Sequence, residues 1–227
     1  ATGAASATFI LEAIKGLAGS TAQAAARIAH GAHLRRYRFD KYFTKTKPED
    51  KPALKSFTVA LPGAKNAAKE YTPLEKLADG VLFTRDLVSE PANIIYPETL
   101  AQKCLELKKL GVDVEVLDEP DMYKLGMGAL LGVGQGSARE SQMVIMRYNG
   151  AGKGKQPVAF VGKGVTFDTG GISIKPAGGM EEMKWDMGGA GVVIGLMKAL
   201  AGRKAKCNVV GVVGLVENMP GGNAQRP

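Results

Sequence analysis

The sequence predicts an α/β fold, in which a mixed or mostly parallel sheet is covered by helices on both faces. Apolar segments of strand length alternate along the chain with segments of helical periodicity. Residues 208–216 are almost entirely apolar, which is typical of a strand buried on both faces. The 227 residues are 45% hydrophobic and 23% charged, as in a globular protein that can bury a large core.

The first half of the chain contains two predicted helices and one predicted strand. An alanine-rich segment predicts a helix over residues 21–34, and alternation predicts a strand over 56–61. The sequence TPLE at 72–75 predicts a helix start, since its threonine can cap, its proline suits the first helical position and its glutamate completes a capping box. Helical spacing extends this helix to about Ser89, where Pro91 ends it.

The second half continues the alternation of helices and strands. The predicted elements are helices over 97–110 and 190–200, with strands over 112–117, 143–148, 158–161 and 208–216. Ligands of α/β proteins bind at the carboxyl ends of strands. We therefore expect the glycine-rich segment after Val161 to be a loop that carries the chemistry.

The formal net charge of +8 is concentrated in one stretch. Its basic residues are Arg35, Arg36, Arg38, Lys41, Lys45, Lys47, Lys51 and Lys55. The polar flanks favour a solvated connector. Tyr37, Phe39, Tyr42 and Phe43 lie among these bases, as in surfaces that stack single-stranded nucleic acid, so DNA binding stays open as an alternative.

Several classes of protein are disfavoured by composition. No apolar run reaches the ~18 residues of a membrane span, so no membrane partner is expected. Cys104 and Cys207 are too few for a disulfide framework and predict inert thiols in a reducing compartment. Residues 1–20 lack the pattern of a secretory signal. The expected location is the cytoplasm.

The segment 162–171 carries four glycines, Lys163 and Asp168. A Walker loop is excluded because Gly164, rather than serine or threonine, follows the lysine. Asp168 and Asp186 offer hard oxygen ligands to a divalent cation, whereas both histidines are far away in sequence. The lysines nearby allow two interpretations. They either form surface salt bridges worth under about 1 kcal/mol each, or one of them binds metal as a neutral amine. Composition and spacing do not decide between the two.

Three longer motifs carry a family resemblance. These are VGKGVTFDTGGISIKP at 161–176, MKWDMGGA at 183–190 and VENMP at 216–220. Together with weaker matches at 37–42, 85–91 and 132–137, they resemble the leucyl (cytosol) aminopeptidase family of dinuclear metallopeptidases. The resemblance runs in register from about residue 29 to 227.

The resemblance implies a role for each of five residues. Lys163, Asp168 and Asp186 would bind metal, the first as a neutral amine and the second as a bridge between two ions. Lys175 would stay protonated, face the substrate carbonyl and stabilise the oxyanion, an effect worth about 3 kcal/mol. Met183 would line the pocket for the N-terminal side chain, so that all five would contact substrate.

For the whole protein the resemblance implies release of N-terminal amino acids, preferably leucine-like, from peptides. It also implies two zinc or manganese ions per subunit, a homohexamer, and a bicarbonate ion held by an arginine beyond residue 227. We expect residues 1–62 to be the remainder of an N-terminal domain, 63–83 a linker helix and 84–227 the first part of the catalytic domain. Both ends then look cut, and the 227 residues alone are expected to be inactive. A DNA-binding architectural role and a non-catalytic fragment are the alternatives.

Overall fold

A computed structural model describes residues 4–12, 19–152 and 154–226. The chain divides into two compact units, Ala1–Ala78 and Asp79–Pro227. Within the described residues, no helix has the length and apolar character needed to cross a membrane.

The first unit contains a parallel pair of short strands, β1 (Ser6–Ile10) and β2 (Ser56–Ala60). Helix α1 (Thr21–Arg35) begins at a capping box, in which the Ser20 hydroxyl accepts from the Gln23 N–H at 3.2 Å. A small core forms around Leu11, Ala25 and Ala67. The predicted helix and the predicted strand are confirmed, whereas β1 was not predicted.

The next helix begins earlier than its sequence signal suggests. Helix α2 extends over Ala64–Ser89 and contains Pro73 in its interior, so the predicted start at Thr72 is wrong. The Thr72 hydroxyl donates back to the carbonyl of Ala68 at 3.0 Å instead of capping a new helix. The alanines and lysines that precede it favour helix strongly enough to tolerate the hydrogen bond that proline removes. The predicted end at Ser89 is confirmed.

The second unit begins with the last residues of α2, and its described residues otherwise form six helical segments and four strands. Its helices are α3 (Pro97–Leu105), α4 (Glu119–Lys124), α5 (Gly128–Gly134) and α6 (Gly188–Gly202), and two 3-10 helices span Glu106–Leu110 and Met180–Trp185. Its strands are β3 (Asp113–Leu117), β4 (Gln142–Asn149), β5 (Val158–Asp168) and β6 (Asn208–Asn218). They form one mixed sheet in the order β3-β4-β6-β5, in which β5 and β6 are parallel and the other two pairs antiparallel.

Helices contact both faces of the central strand β6, as the α/β prediction requires. Val213 and Leu215 share the main core with α3 and α6. On the opposite face Leu130 of α5 lies against Gly214, where an added Cβ would be 2.7 Å from its Cδ1 atom. The backbone of β6 is therefore shielded on both sides, which explains its apolar sequence.

Strand β5 continues through the segment that was expected to be a loop. It runs to Asp168, with an irregularity in its pairing to β6 between Val165 and Asp168. Gly162 is needed for close packing, because an added Cβ there would lie 2.6 Å from the carbonyl oxygen of Gly189 at the start of α6. The prediction of a loop after Val161 is wrong, and Lys163 projects from a strand.

Candidate metal centre

Lys163 and Asp186 meet beside strand β5. The Nζ atom of Lys163 donates a hydrogen bond to Oδ1 of Asp186, which follows the 3-10 helix Met180–Trp185 and precedes α6. The lysine side chain is 60% exposed and the aspartate side chain 21%. The second oxygen of Asp186, Oδ2, is buried and has no hydrogen-bond partner among the described residues.

Asp168, at the end of β5, is held by three donors. Its Oδ1 atom accepts from the Gly170 N–H at 2.9 Å and from Nδ2 of Asn218 at 2.8 Å. Its Oδ2 atom lies 2.8 Å from Nζ of Lys175, and the side chain is 16% exposed. Burial raises the pKa of Asp168, but the hydrogen bonds from Lys175 and Gly170 and the lysine charge outweigh it, so this pKa lies below the ordinary value of 3.8.

Lys175 connects Asp168 to the remaining predicted residue, Met183. Its Nζ atom lies 3.2 Å from the Met183 sulfur, and its backbone N–H donates to the carbonyl of Thr169 at 2.9 Å. This backbone hydrogen bond joins the two ends of the 169–175 loop, and the ammonium group of Lys175 lies beside the Asp168 carboxylate. A contact between Asp186 and Asp168 also lowers the pKa of Asp168, so the two ion pairs adjoin each other.

All five predicted site residues are thus brought together around the end of β5. The metal-ligand role of Lys163, Asp168 and Asp186, the catalytic role of Lys175 and the substrate contact of Met183 stay predictions. The described residues contain no group of three or more histidine, cysteine, aspartate or glutamate side chains suited to a metal ion. The donor set is two carboxylates and an amine. A buried carboxylate oxygen without a donor, such as Oδ2 of Asp186, is unfavourable, and a cation would satisfy it. These three donors fit part of a coordination shell, which needs about four to six.

Four neighbouring residues received no site role from the sequence, namely Glu217, Asn218, Ser137 and Arg226. Glu217, fully buried, accepts from Nε of Arg226 at 2.7 Å and from the hydroxyl of Ser137 at 2.6 Å. Asn218, which follows it, reaches Asp168. A charged residue at the end of an apolar strand was the available signal. Its partners are 80 and 9 residues away, and no local pattern identifies them.

A model of the cytosol aminopeptidase catalytic domain matches residues 82–227. This chain belongs to the cytosol aminopeptidase family. The family relation agrees with the resemblance found in the sequence, and the matched residues include every residue of the candidate site.

Two relatives described as probable cytosol aminopeptidases are close in sequence. The one from Caulobacter vibrioides is 62% identical over 210 residues, covering 92% of this chain and 43% of the relative. The one from a Bradyrhizobium strain is 61% identical over 207 residues, covering 91% and 42%. The chain therefore spans less than half the length of these cytosol aminopeptidases.

Two solved structures share the fold. The bottromycin maturation enzyme BotP, in complex with Mn, superimposes with a TM-score of 0.80 at 33% identity, covering 99% of this chain and 46% of BotP. The cytosol aminopeptidase from Coxiella burnetii gives a TM-score of 0.74 at 27% identity, covering 90% and 42%. The mixed sheet described above is therefore the architecture of aminopeptidases of this family.

Proposed function

We propose that this protein is a metal-dependent aminopeptidase that releases N-terminal, preferably leucine-like, residues from peptides. Within it, Lys163, Asp168 and Asp186 are proposed as metal ligands and Lys175 as the catalytic cation. Membership of the cytosol aminopeptidase family supports the activity. The observation that carries the site assignment is the convergence of the Lys163–Asp186 and Asp168–Lys175 pairs around the end of β5.

The residues of this chain have two proposed roles, namely to bind the metal ions and to stabilise the negative charge that develops on the substrate. Two divalent ions, when bound, supply Lewis acidity that polarises a peptide carbonyl and activates water. Lys163 would bind as a neutral amine, which frees the Asp186 oxygen that it now contacts. Lys175 keeps its proton and offers N–H donors to the oxyanion of the tetrahedral intermediate, where one well-placed donor is worth about 3 kcal/mol.

Met183 is proposed to contact the side chain of the substrate's N-terminal residue. Its sulfur lies 3.2 Å from Nζ of Lys175, so an apolar surface adjoins the position proposed for the reacting carbonyl. A flexible thioether accommodates branched and unbranched aliphatic side chains. This surface suits leucine and similar residues.

Further properties of the whole protein are proposed from the family. Manganese or zinc would occupy the site, and the manganese bound by BotP supports the former. The names of the relatives support a cytoplasmic location. A homohexamer and a bicarbonate ion acting as base rest on the resemblance alone, as do ligands supplied by residues outside this chain.

The function is tested by replacing Lys175 in the natural protein at its full length. Lys175→Met is expected to lower hydrolysis of leucine p-nitroanilide in manganese buffer by about 10²–10³-fold, the effect of losing one oxyanion donor. Lys124→Met, which removes an exposed lysine of α4, serves as the matched control. Activity of Lys175→Met within twofold of the control would reject the role of Lys175. Absence of hydrolysis in the unmodified protein would reject the activity itself.

DNA binding is the second candidate, favoured by one observation in the first unit. Phe43 is strongly exposed and Tyr42 half-exposed in the basic stretch around Lys41 and Lys45. Exposed rings among cations are what stacking on single strands requires. A gel shift that weakens steeply with salt and is unchanged in Lys175→Met would support this second role, and absence of a shift at low salt would reject it.

A further inference from the structure

Asn218 approaches the candidate metal centre from a different strand. It ends β6, lies 50 residues from Asp168 in sequence, and is half-buried. Its Nδ2 atom lies 2.8 Å from Oδ1 of Asp168. An ionised carboxylate only accepts hydrogen bonds, so the amide must present its NH₂ group to the aspartate.

The same residue is bonded to the segment after Asp168 through its backbone. Its carbonyl oxygen accepts from the N–H of Thr169 at 2.9 Å and from the Thr169 hydroxyl at 2.7 Å. Its amide oxygen faces Gly171, where an added Cβ would lie 2.6 Å away. Asp168 on the nitrogen side and the backbone of Gly171 on the oxygen side therefore restrict the orientation of the Asn218 amide.

The strand end that carries Asn218 is itself fixed. The neighbouring Glu217 is fully buried and bonded to Arg226 and Ser137. Opposite charges with good geometry in a buried setting define position sharply, since a displaced partner would leave an uncompensated charge. Asn218 is thus a donor on a rigid support.

We propose that Asn218 is a positioning residue, whose amide fixes Oδ1 of Asp168 so that Oδ2 is directed to the metal ions and Lys175. This inference rests on the proposed metal-ligand role of Asp168. Two donors, the Gly170 N–H and the Asn218 amide, hold Oδ1, and the carboxylate plane is thereby set. Residues that orient a ligand in this way typically change metal affinity by about 10–100-fold when replaced.

The test measures the Mn²⁺ affinity of the purified natural protein at its full length by calorimetry, with the electron paramagnetic resonance spectrum of bound Mn²⁺ as a second readout. Asn218→Ala is expected to raise the Kd for Mn²⁺ about tenfold or more and to alter the spectrum, while the Tm of the metal-free protein changes little. Asn218→Leu keeps the branched shape of the side chain without its N–H donors, and the same changes in Kd and in the spectrum are expected. It replaces Asn218→Ala if the alanine variant fails to fold.

Two controls separate positioning from general loosening of the loop. Thr169→Val removes the hydroxyl bonds to Asn218 and Gly171 but leaves the amide contact, so its Kd for Mn²⁺ should rise clearly less than that of Asn218→Ala. Asn149→Ala removes an exposed asparagine from the end of β4 and should have no effect. An equal loss of affinity in Thr169→Val, or an unchanged Kd in Asn218→Ala, would overturn the inference.

Asp168→Ala distinguishes failure of this inference from failure of the proposed function. If Asp168→Ala abolishes Mn²⁺ binding while Asn218→Ala leaves it unchanged, the metal site stands and only the positioning role is rejected. If Asp168→Ala binds Mn²⁺ with the same affinity as the unmodified protein, or the unmodified protein binds none, the metal-ligand assignment is rejected. The positioning role of Asn218 is then rejected too.

Discussion

Replacing Arg226 measures how much its buried ion pair with Glu217 stabilises the end of β6. Its guanidinium group donates two hydrogen bonds to Glu217, of which Nε to Oε1 is 2.7 Å, and Glu217 is 0% exposed. In Arg226→Met the only remaining side-chain donor to the carboxylate, among the described residues, is the Ser137 hydroxyl. Removing one partner of a buried pair costs about 3–5 kcal/mol, because the other charge stays buried. For a cooperatively unfolding unit of roughly 150–250 residues, that corresponds to a fall in Tm of roughly 6–20 °C.

The measurement is thermal unfolding at neutral pH, with the same substitution at Arg147 as control. Arg147 pairs with Glu115 at 2.8 Å and with Asp113 at 3.6 Å, all on the surface, where such pairs contribute about 0–1 kcal/mol. The double variant Glu217→Gln/Arg226→Met should be more stable than Arg226→Met, since it removes the buried charge. A fall in Tm for Arg226→Met no larger than that for Arg147→Met would refute this reasoning.

Two further predictions concern a glycine and the thiols. Gly171→Ala should lower both the Tm and the affinity for Mn²⁺, because φ is +64° and the added methyl group would displace the Asn218 amide. Gly152→Ala is the control, because Gly152 has φ +83° but open space around it, so this variant shows only the cost of the left-handed backbone, about 1–2 kcal/mol. Equal effects of the two variants would contradict a clash between the methyl group added at position 171 and Asn218. Burial raises the pKa of Cys104 from 9.0 to about 12, so iodoacetamide at pH 8 should alkylate the half-buried Cys207 first, as peptide mass spectrometry would show. Equal labelling of both thiols in the folded protein would contradict the burial of Cys104. Since the Cys104 thiol ionises near pH 9 in the unfolded chain and near pH 12 in the folded one, it should also make the free energy of unfolding fall as pH rises across this range.

The elements that sequence predicted well are those with strong local signals. Helix α3 begins at Pro97, and its 3-10 extension is followed by Gly111 in the left-handed conformation, as the sequence rules for helix ends require. Strand β6 is recognisable because both of its faces are covered. In these places local preference and tertiary packing agree.

Prediction failed where packing overrode a local signal. The TPLE segment has the features of a helix start, but α2 passes through it because the preceding eight residues are already helical. Gly162 was interpreted as part of a loop, since glycine is common there. In the structure it lies within β5 because only glycine admits the carbonyl of Gly189 at that distance. Close approach between elements distant in sequence leaves no periodic trace.

The candidate site shows the same division between local and distant information. Asp168 and Lys175 are seven residues apart, and one motif identifies both as candidates. Asn218, which sets the orientation of that aspartate, comes from another strand, and asparagine is so common in turns that its presence after a strand does not indicate a site. Sequence could therefore indicate which groups carry the chemistry. The direction in which Asp168 presents its second oxygen depends on the pairing of β5 with β6, and on the buried Glu217–Arg226 pair that holds the end of β6 in place.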